Sequence, residues 1–249
     1  MSQASSAERV FQIMEMYERE KRPLSLRELS DLCQIPGSTC HSLVHTLLRR
    51  GYLYQTGRRK DLYPTRRLYE VSATIVAHDP VLQRIQPTIE KLRDDTQETV
   101  ILGRRQKDQI AYLEVLESPQ TIRYSAKAGD LKPLHSTCIG KTFLATLTPQ
   151  ELRDWVASRT LDQVTDATIT SYPRLMDALE EGKRAGYFIS RGENVAEVTA
   201  VAVPVRLNEE LFGVAIAGPA QRVDVNLKRI TNLLIAAQRE LLDSGVATL

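Results

Sequence analysis

Apolar residues return every three or four positions over residues 7–20, where Val10, Ile13, Met14 and Tyr17 form one helical stripe. Leu26, Leu29 and Leu32 repeat the pattern behind Ser25, an N-cap whose capping box is completed by Glu28 three residues on. A sharp turn follows at Ile35-Pro36-Gly37, and Pro36 can open a new helix because its missing N–H would have been unpaired there. In that helix Leu43, Leu47 and Leu48 supply the apolar stripe, while Thr39, His41, Ser42, His45 and Arg49 face outward. Gly51 closes it in the manner of a C-cap. Residues 52–55 and 62–64 then read as two short strands joined by the tip Thr56-Gly57-Arg58-Arg59-Lys60-Asp61. Two helices so tightly connected cross steeply, which lets the second enter a major groove. The order of parts predicts a winged helix-turn-helix over residues 1–64.

Residues 65–79 form an amphipathic linker helix with Leu68, Val71 and Ile75 at helical spacing, stopped by Asp79-Pro80. The pattern over 80–249 alternates. Helices are expected at 80–96, 136–147, 149–158, 172–185 and 224–243, with Thr148 and Pro149 starting the third and Gly186 ending the fourth. Strands are expected at 99–105 and 109–116 around a turn at 106–108. A short strand is expected at 121–125, and three more at 186–190, 198–206 and 211–217. Helices flanking a mostly antiparallel sheet make the fold class α+β.

Charge sharpens the first domain. The chain carries a net charge of only +2, yet residues 37–68 hold seven Lys or Arg against the single acid Asp61. Residues 81–249 hold 21 basic and 22 acidic residues. A local cationic zone on a near-neutral chain is the footprint of phosphate contacts, which makes double-stranded DNA the expected partner. Thr39, His41, Ser42 and His45 are placed to meet base edges. Ser38, Arg49, Arg50, Arg58, Arg59 and Lys60 hold phosphates or the adjacent minor groove, with Arg27 of the preceding helix beside them. One winged helix reads few base pairs, so a homodimer or a dimer of dimers is expected.

Composition excludes other classes. No apolar run reaches the roughly 18 residues of a membrane span, and no hydrophobic signal core follows the first residues. Cys33, Cys40 and Cys138 are odd in number and widely spaced, which argues against a disulfide framework or a cysteine zinc site. The cytoplasm is the expected compartment. Gly140-Lys141-Thr142 looks like the end of a phosphate-binding loop, but that pattern needs glycine where His135 stands. His135, Ser136 and Cys138 lack a nucleophile elbow and an orienting acid, so no enzyme activity is expected. His41 and His45 mimic half a zinc site without its acid, and no metal or cofactor is expected. Cys33, Cys40 and Trp155 read as core residues. Glu193 reads equally as a solvated loop acid or as a hydrogen-bond partner for a ligand hydroxyl.

Two stretches are more specific. One is Lys127-Ala128-Gly129-Asp130-Leu131-Lys132-Pro133-Leu134-His135-Ser136-Thr137-Cys138-Ile139-Gly140-Lys141-Thr142-Phe143-Leu144-Ala145. The other combines Gly186-Tyr187, Arg191-Gly192-Glu193-Asn194-Val195, Val201-Ala202-Val203-Pro204-Val205 and Gly213-Val214-Ala215-Ile216-Ala217-Gly218-Pro219. With the winged helix they closely resemble the IclR family of bacterial transcriptional regulators, over nearly the whole chain. The resemblance implies a GAF-like effector domain over residues 80–249 that binds a small organic acid or related metabolite. It carries the effector role onto Tyr124, Ser136, Thr137, Cys138, Ile139, Gly140, Glu193, Ala202, Pro204, Ala215 and Ala217. The helix start at residues 136–140 offers free N–H groups, a natural carboxylate cradle, and the small residues at 202, 215 and 217 leave room beside the sheet. Some relatives have serines at 215 and 217, so the alanines here suit a larger or aromatic effector. Relatives also often carry arginine where Ser42 stands, which moves base readout toward Thr39, His41 and His45. The expected function is a ligand-responsive DNA-binding regulator of a catabolic operon. The alternative is a small-molecule-binding enzyme or a dimerisation module whose winged helix makes protein contacts.

Overall fold

Local capping chemistry sets where the first helices begin. Ser5 and Ser25 each accept a hydrogen bond from the N–H three residues on, and Glu8 and Glu28 answer to the cap N–H groups. These boxes start α1 (Ser6–Glu20) and α2 (Leu26–Leu32). Hydrogen bonds from Ser25, reinforced by Arg22, hold the Glu28 carboxyl down to about 2. The structure is a computed structural model and describes residues 5–207 and 209–243; the outer limits expected for the two domains, residues 1 and 249, lie outside the described residues. The chain divides into two compact units, Met1–Asp79 and Pro80–Leu249.

In the first unit α3 (Gly37–Arg49) follows the turn, then β1 (Leu53–Thr56) pairs antiparallel with β2 (Asp61–Pro64), and α4 (Arg67–Ala77) comes last. Its core joins Ile13, Leu24, Leu29, Cys40, Val44, Leu47, Leu53 and Leu62. Leu24 and Leu62 exchange backbone hydrogen bonds of 3.0 and 2.8 Å, and the Tyr17 hydroxyl donates to the Leu62 carbonyl at 3.2 Å. The hairpin is thereby tied to the helices. Three expectations are corrected. The buried stripe of α3 is Cys40, Val44 and Leu47, with Leu43 and Leu48 only half-buried at its margins. Leu32 is 41% exposed, because α2 ends there and turns its last residue out of the core. Pro36 is the N-cap itself, with an extended ψ of 136°, and the helix begins one residue later.

In the second unit α5 (Pro80–Thr96) leads into β3 (Thr99–Gln106) and β4 (Gln109–Leu116), then β5 (Leu131–Pro133) and α6 (Cys138–Leu144). Next come α7 (Pro149–Ala157), α8 (Tyr172–Ala185), β6 (Phe188–Arg191), β7 (Val198–Leu207) and β8 (Glu210–Pro219). The helices α9 (Ala220–Val225) and α10 (Leu227–Asp243) close the described chain. All strand pairs are antiparallel, in the order β5-β4-β3-β8-β7-β6. Strand alternation sends Val100, Leu102, Val201, Val203, Val214 and Ile216 to the face covered by α5 and α10. Ile101, Tyr112, Ala202, Ala215 and Ala217 point to the other face, under α6, α7 and α8. The fold is thus the α+β arrangement of a helix-turn-helix unit followed by a curled antiparallel sheet. Among the described residues no helix is long and apolar enough to cross a membrane.

Residues 121–125 are not a strand. Arg123 and Ser125 bind the Glu117 carboxylate, and the Tyr124 carbonyl accepts from the Thr99 hydroxyl, so side chains fix this segment as a loop. The edge strand is β5 instead. The helix expected at 136–147 is shorter, because Thr137 is extended and caps α6 by accepting from Gly140 N–H at 3.0 Å. The last helix is split at Asn226 into α9 and α10.

One contact fixes how α6 lies. Gly103 and Gly213 face each other across β3 and β8, and Ile139 fills the notch they leave. A Cβ at Gly140 would lie 2.0 Å from the Leu134 carbonyl oxygen, so no side chain fits there. Gly140→Ala is expected to cost about 3 kcal/mol or more, since the obstacle is backbone and cannot swing aside. Urea unfolding of the full chain checks this, and an unchanged midpoint would show that α6 is free to move.

Candidate functional site

Burial of Cys40, Val44 and Leu47 leaves the opposite face of α3 to solvent. Ser38, His41, Ser42, His45 and Arg49 are exposed there, and Thr39 is half-buried. Arg50 is exposed at the C-cap, and Gly51 follows with φ of +75°, the left-handed turn that sends the chain into the hairpin. At the hairpin tip Arg58, Arg59 and Lys60 are exposed, and their side chains, like those of Arg49 and Arg50, make no ion pair with the described residues. Arg27 is nearly fully exposed on α2, 3.8 Å from Asp31. Farther on, Arg67 stacks over Tyr52, while Arg66 pairs with Glu70 at 2.9 Å and stacks over Tyr69. The arrangement is a polar helix face flanked by unneutralised cations, which can meet a polyanion without first breaking internal pairs.

The second unit holds a narrow cavity of about 30 Å³ between α6 and the sheet. Of the residues that the sequence suggested, Tyr124, Thr137, Cys138, Ile139, Ala215 and Ala217 line it. Ser136, Gly140, Glu193, Ala202 and Pro204 do not. Ser136 is fully buried, its hydroxyl donating to Asn194 Oδ1 at 3.3 Å. Gly140 is pressed on the Leu134 carbonyl, and its N–H is already taken by Thr137. The expected carboxylate cradle is therefore partly filled by the helix's own cap. Ala202 sits in the closed core, and the Pro204 carbonyl accepts from Gln238 of α10.

The cavity gains walls that the sequence reading missed, from Ile101, Tyr112, Ser190, Asn194, Val195, Val198 and Ala200. Strand parity could have found Val198 and Ala200, since they share a face with Ala202. No charged side chain lines the space. Burial raises the Tyr112 hydroxyl well above the usual phenol range and the Tyr124 hydroxyl above it, so both stay neutral. Burial likewise pushes the Cys138 thiol up to about 12, which removes it as a nucleophile near neutral pH. His135 is buried, and its Nε2 donates to the Asp162 carbonyl at 3.0 Å. No group of three metal-capable side chains occurs among the described residues. Trp155 is a packed anchor with the Arg159 guanidinium 4.2 Å from its ring centre.

Glu193 is neither solvated nor at the cavity. Its carboxylate meets Lys141 Nζ at 2.6 Å, with side chains only 8% and 2% exposed, and the same Nζ donates to the Ile189 carbonyl at 2.8 Å. Lysine at 141 thus ties α6 to the free edge of β6, a carbonyl that no strand pairs with. Glu193 Oε2 has no partner among the described residues. Lys141→Met strands a buried carboxylate and should cost about 3–5 kcal/mol, most of it regained in Lys141→Met/Glu193→Leu. Chemical denaturation of the three proteins checks this; equal losses in the single and double variants would refute the pairing.

Comparison with known proteins agrees with both halves. Residues 6–57 match the IclR helix-turn-helix domain, and residues 73–242 match the family described as bacterial transcriptional regulator IclR C-terminal. The chain is 29% identical over 214 residues to the HTH-type transcriptional regulator KdgR of Escherichia coli, covering 86% of this chain and 80% of that protein. It is 25% identical over 244 residues to the acetate operon repressor of Salmonella typhimurium, covering 96% and 89%. Both relatives are named as regulators of transcription. The Thermotoga maritima IclR crystal structure superposes with a TM-score of 0.80 at 22% identity, covering 95% of this chain and 96% of that one. An IclR homolog from Microbacterium hydrocarbonoxydans, complexed with 4-hydroxybenzoate, gives 0.77 at 23%, covering 98% and 100%. Likeness at these identities speaks for the fold.

Proposed function

The chain belongs to the IclR family of bacterial transcriptional regulators, and from that premise we propose that it switches a catabolic operon in response to an aromatic acid held between α6 and the sheet. The observation that carries the DNA half is the outer face of α3. Its core-facing side is fully used by Cys40, Val44 and Leu47, so His41, Ser42 and His45, with Thr39, are left to meet base edges. Ser38, Arg49, Arg50, Arg58, Arg59 and Lys60 supply phosphate and minor-groove contacts, with Arg27 as an outlying cation. A symmetric operator calls for two such units, so the working form is a homodimer or a dimer of dimers.

The cavity supports the effector half. Its walls are mostly apolar with a few polar groups, the composition of a small-molecule site. Ala215 and Ala217 keep the sheet wall free of bulky side chains, and a fold relative is complexed with 4-hydroxybenzoate. Operator fragments from the intergenic region beside the gene, followed by fluorescence anisotropy over a salt series, test the reading. Arg58→Ala/Arg59→Ala should weaken binding at every sequence and flatten the log–log salt slope by about one unit per lost contact. His41→Ala should weaken the operator more than random DNA. Aromatic acids added to the wild-type complex should shift the affinity. Unaltered affinity and slope in the wing variant would remove the wing from the interface, and absence of salt-sensitive DNA binding would overturn the regulator reading.

A further inference from the structure

Asn194 stands at the mouth of the cavity with donors to spare. Its neighbours are pinned: the Gly192 carbonyl accepts from Thr165 at 2.6 Å, the Glu193 carbonyl from Thr168 at 2.7 Å, and the Glu193 carboxylate from Lys141. Gly192 and Glu197, both in the left-handed region at φ of +65° and +61°, turn the chain at either end of this loop. Asn194 Oδ1 accepts from Ser136, while its Nδ2 makes no hydrogen bond with the described residues. The other polar groups of the lining are engaged in part with their surroundings. Ser190 donates to the Ser136 carbonyl at 2.8 Å and Thr137 to the Pro133 carbonyl at 2.9 Å. Tyr112 and Tyr124 bring two buried, neutral hydroxyls to the same cavity.

These polar groups sit at opposite ends. Tyr112 belongs to β4 and Asn194 follows β6, on either side of the three central strands β3, β8 and β7. The two ends also differ in wetness. Tyr112 and Tyr124 are buried, whereas Asn194 is half-exposed and its neighbour Val195 is 39% exposed. Between them lie Ile101, Ile139, Ala215 and Ala217.

We propose that Asn194 is a specificity-determining contact of this regulator, and that it orients a hydroxylated aromatic acid with carboxylate outward and hydroxyl inward. Nδ2 donates to the carboxylate at the mouth, where the charge keeps part of its hydration in a cavity without a cation. The ring lies on the apolar middle, and the ring hydroxyl meets the tyrosine pair. This inference rests on the effector reading above and adds the residue and the orientation.

The test is calorimetric titration of the full-length chain with 4-hydroxybenzoate, benzoate, 4-hydroxybenzamide and pyruvate, for wild type, Asn194→Asp and Asn194→Ala, each with its melting temperature. Wild type should bind 4-hydroxybenzoate at least ten-fold more tightly than benzoate or pyruvate. Asn194→Asp should lose ten-fold or more for the carboxylate, by like-charge repulsion, yet hold the neutral amide within about three-fold of wild type. Asn194→Ala should weaken 4-hydroxybenzoate several-fold without the acid-versus-amide split. Equal binding of 4-hydroxybenzoate by wild type and Asn194→Asp would overturn the contact and leave the effector reading standing. So would tight pyruvate binding with no ring compound bound, and binding of none of the four would overturn the ligand class. Failure of the regulator reading itself shows separately, as loss of operator binding in the anisotropy series.

Discussion

The second unit depends on how closely one short helix can approach a sheet. α6 is seven residues long and entirely buried, and a helix that short gains little from its own hydrogen bonds. Its position is set by absent side chains. Gly103 and Gly213, paired across the two central strands, open a notch that Ile139 fills, and Gly140 lets the backbone touch the Leu134 carbonyl. A larger residue at any of the three would lift the helix. With its height fixed there, α6 presents Thr137 and Cys138 to the cavity on one side and sends Lys141 to the edge of β6 on the other. The cavity is the space that remains where the sheet carries alanines and the helix cannot descend farther.

The first unit follows a different economy. Its core is small, and the hairpin is held by two backbone hydrogen bonds, one tyrosine hydroxyl and the burial of Leu53 and Leu62. The core uses little of α3, so most of its side chains answer to solvent rather than to packing. That division separates roles along one helix: substitutions at Cys40, Val44 or Leu47 act on stability, while those at His41, Ser42 or His45 leave the core untouched. The cations of the tip make no ion pair among the described residues, which leaves their charge available to an external polyanion.

Legibility in the sequence followed the range of the interaction. Caps are local, and Ser5, Ser25 and Thr148 with their glutamates start helices where the pattern places them or within a residue of it. Strand alternation is local too, which is why most of the strands of the second unit could be read. Residues 121–125 failed because their β-like composition is overruled by Glu117, whose carboxylate is reached only through the fold. The stripe of α3 failed by one helical step, since leucines outrank Cys40 and Val44 in apolarity but not in position. In the cavity, alanines at 202, 215 and 217 look alike in sequence. Only the height of α6 decides that the first is sealed and the other two are open. Asn194 falls in a stretch that the sequence singles out, but its place at the cavity does not show there, because its neighbours Gly192 and Glu193 are positioned by Thr165, Thr168 and Lys141 from distant segments.

A ligand in this cavity can act only on what its walls allow to move. The strands β3, β7 and β8 are hydrogen-bonded on both sides, so they yield little without breaking a ladder. α6 is pinned by glycines below and by the Lys141–Glu193 pair at its side, and shifting it would expose a buried charge. The loop over residues 194–196 is held instead by the Ser136–Asn194 hydrogen bond and by the Val195 carbonyl accepting from the Val198 N–H, both at 3.3 Å. A ligand shifts a conformational balance only by the difference in its contacts with the two states. That difference is largest where a wall is least restrained, and among the walls of this cavity the loop at the mouth lies outside both the sheet ladders and the α6 anchor.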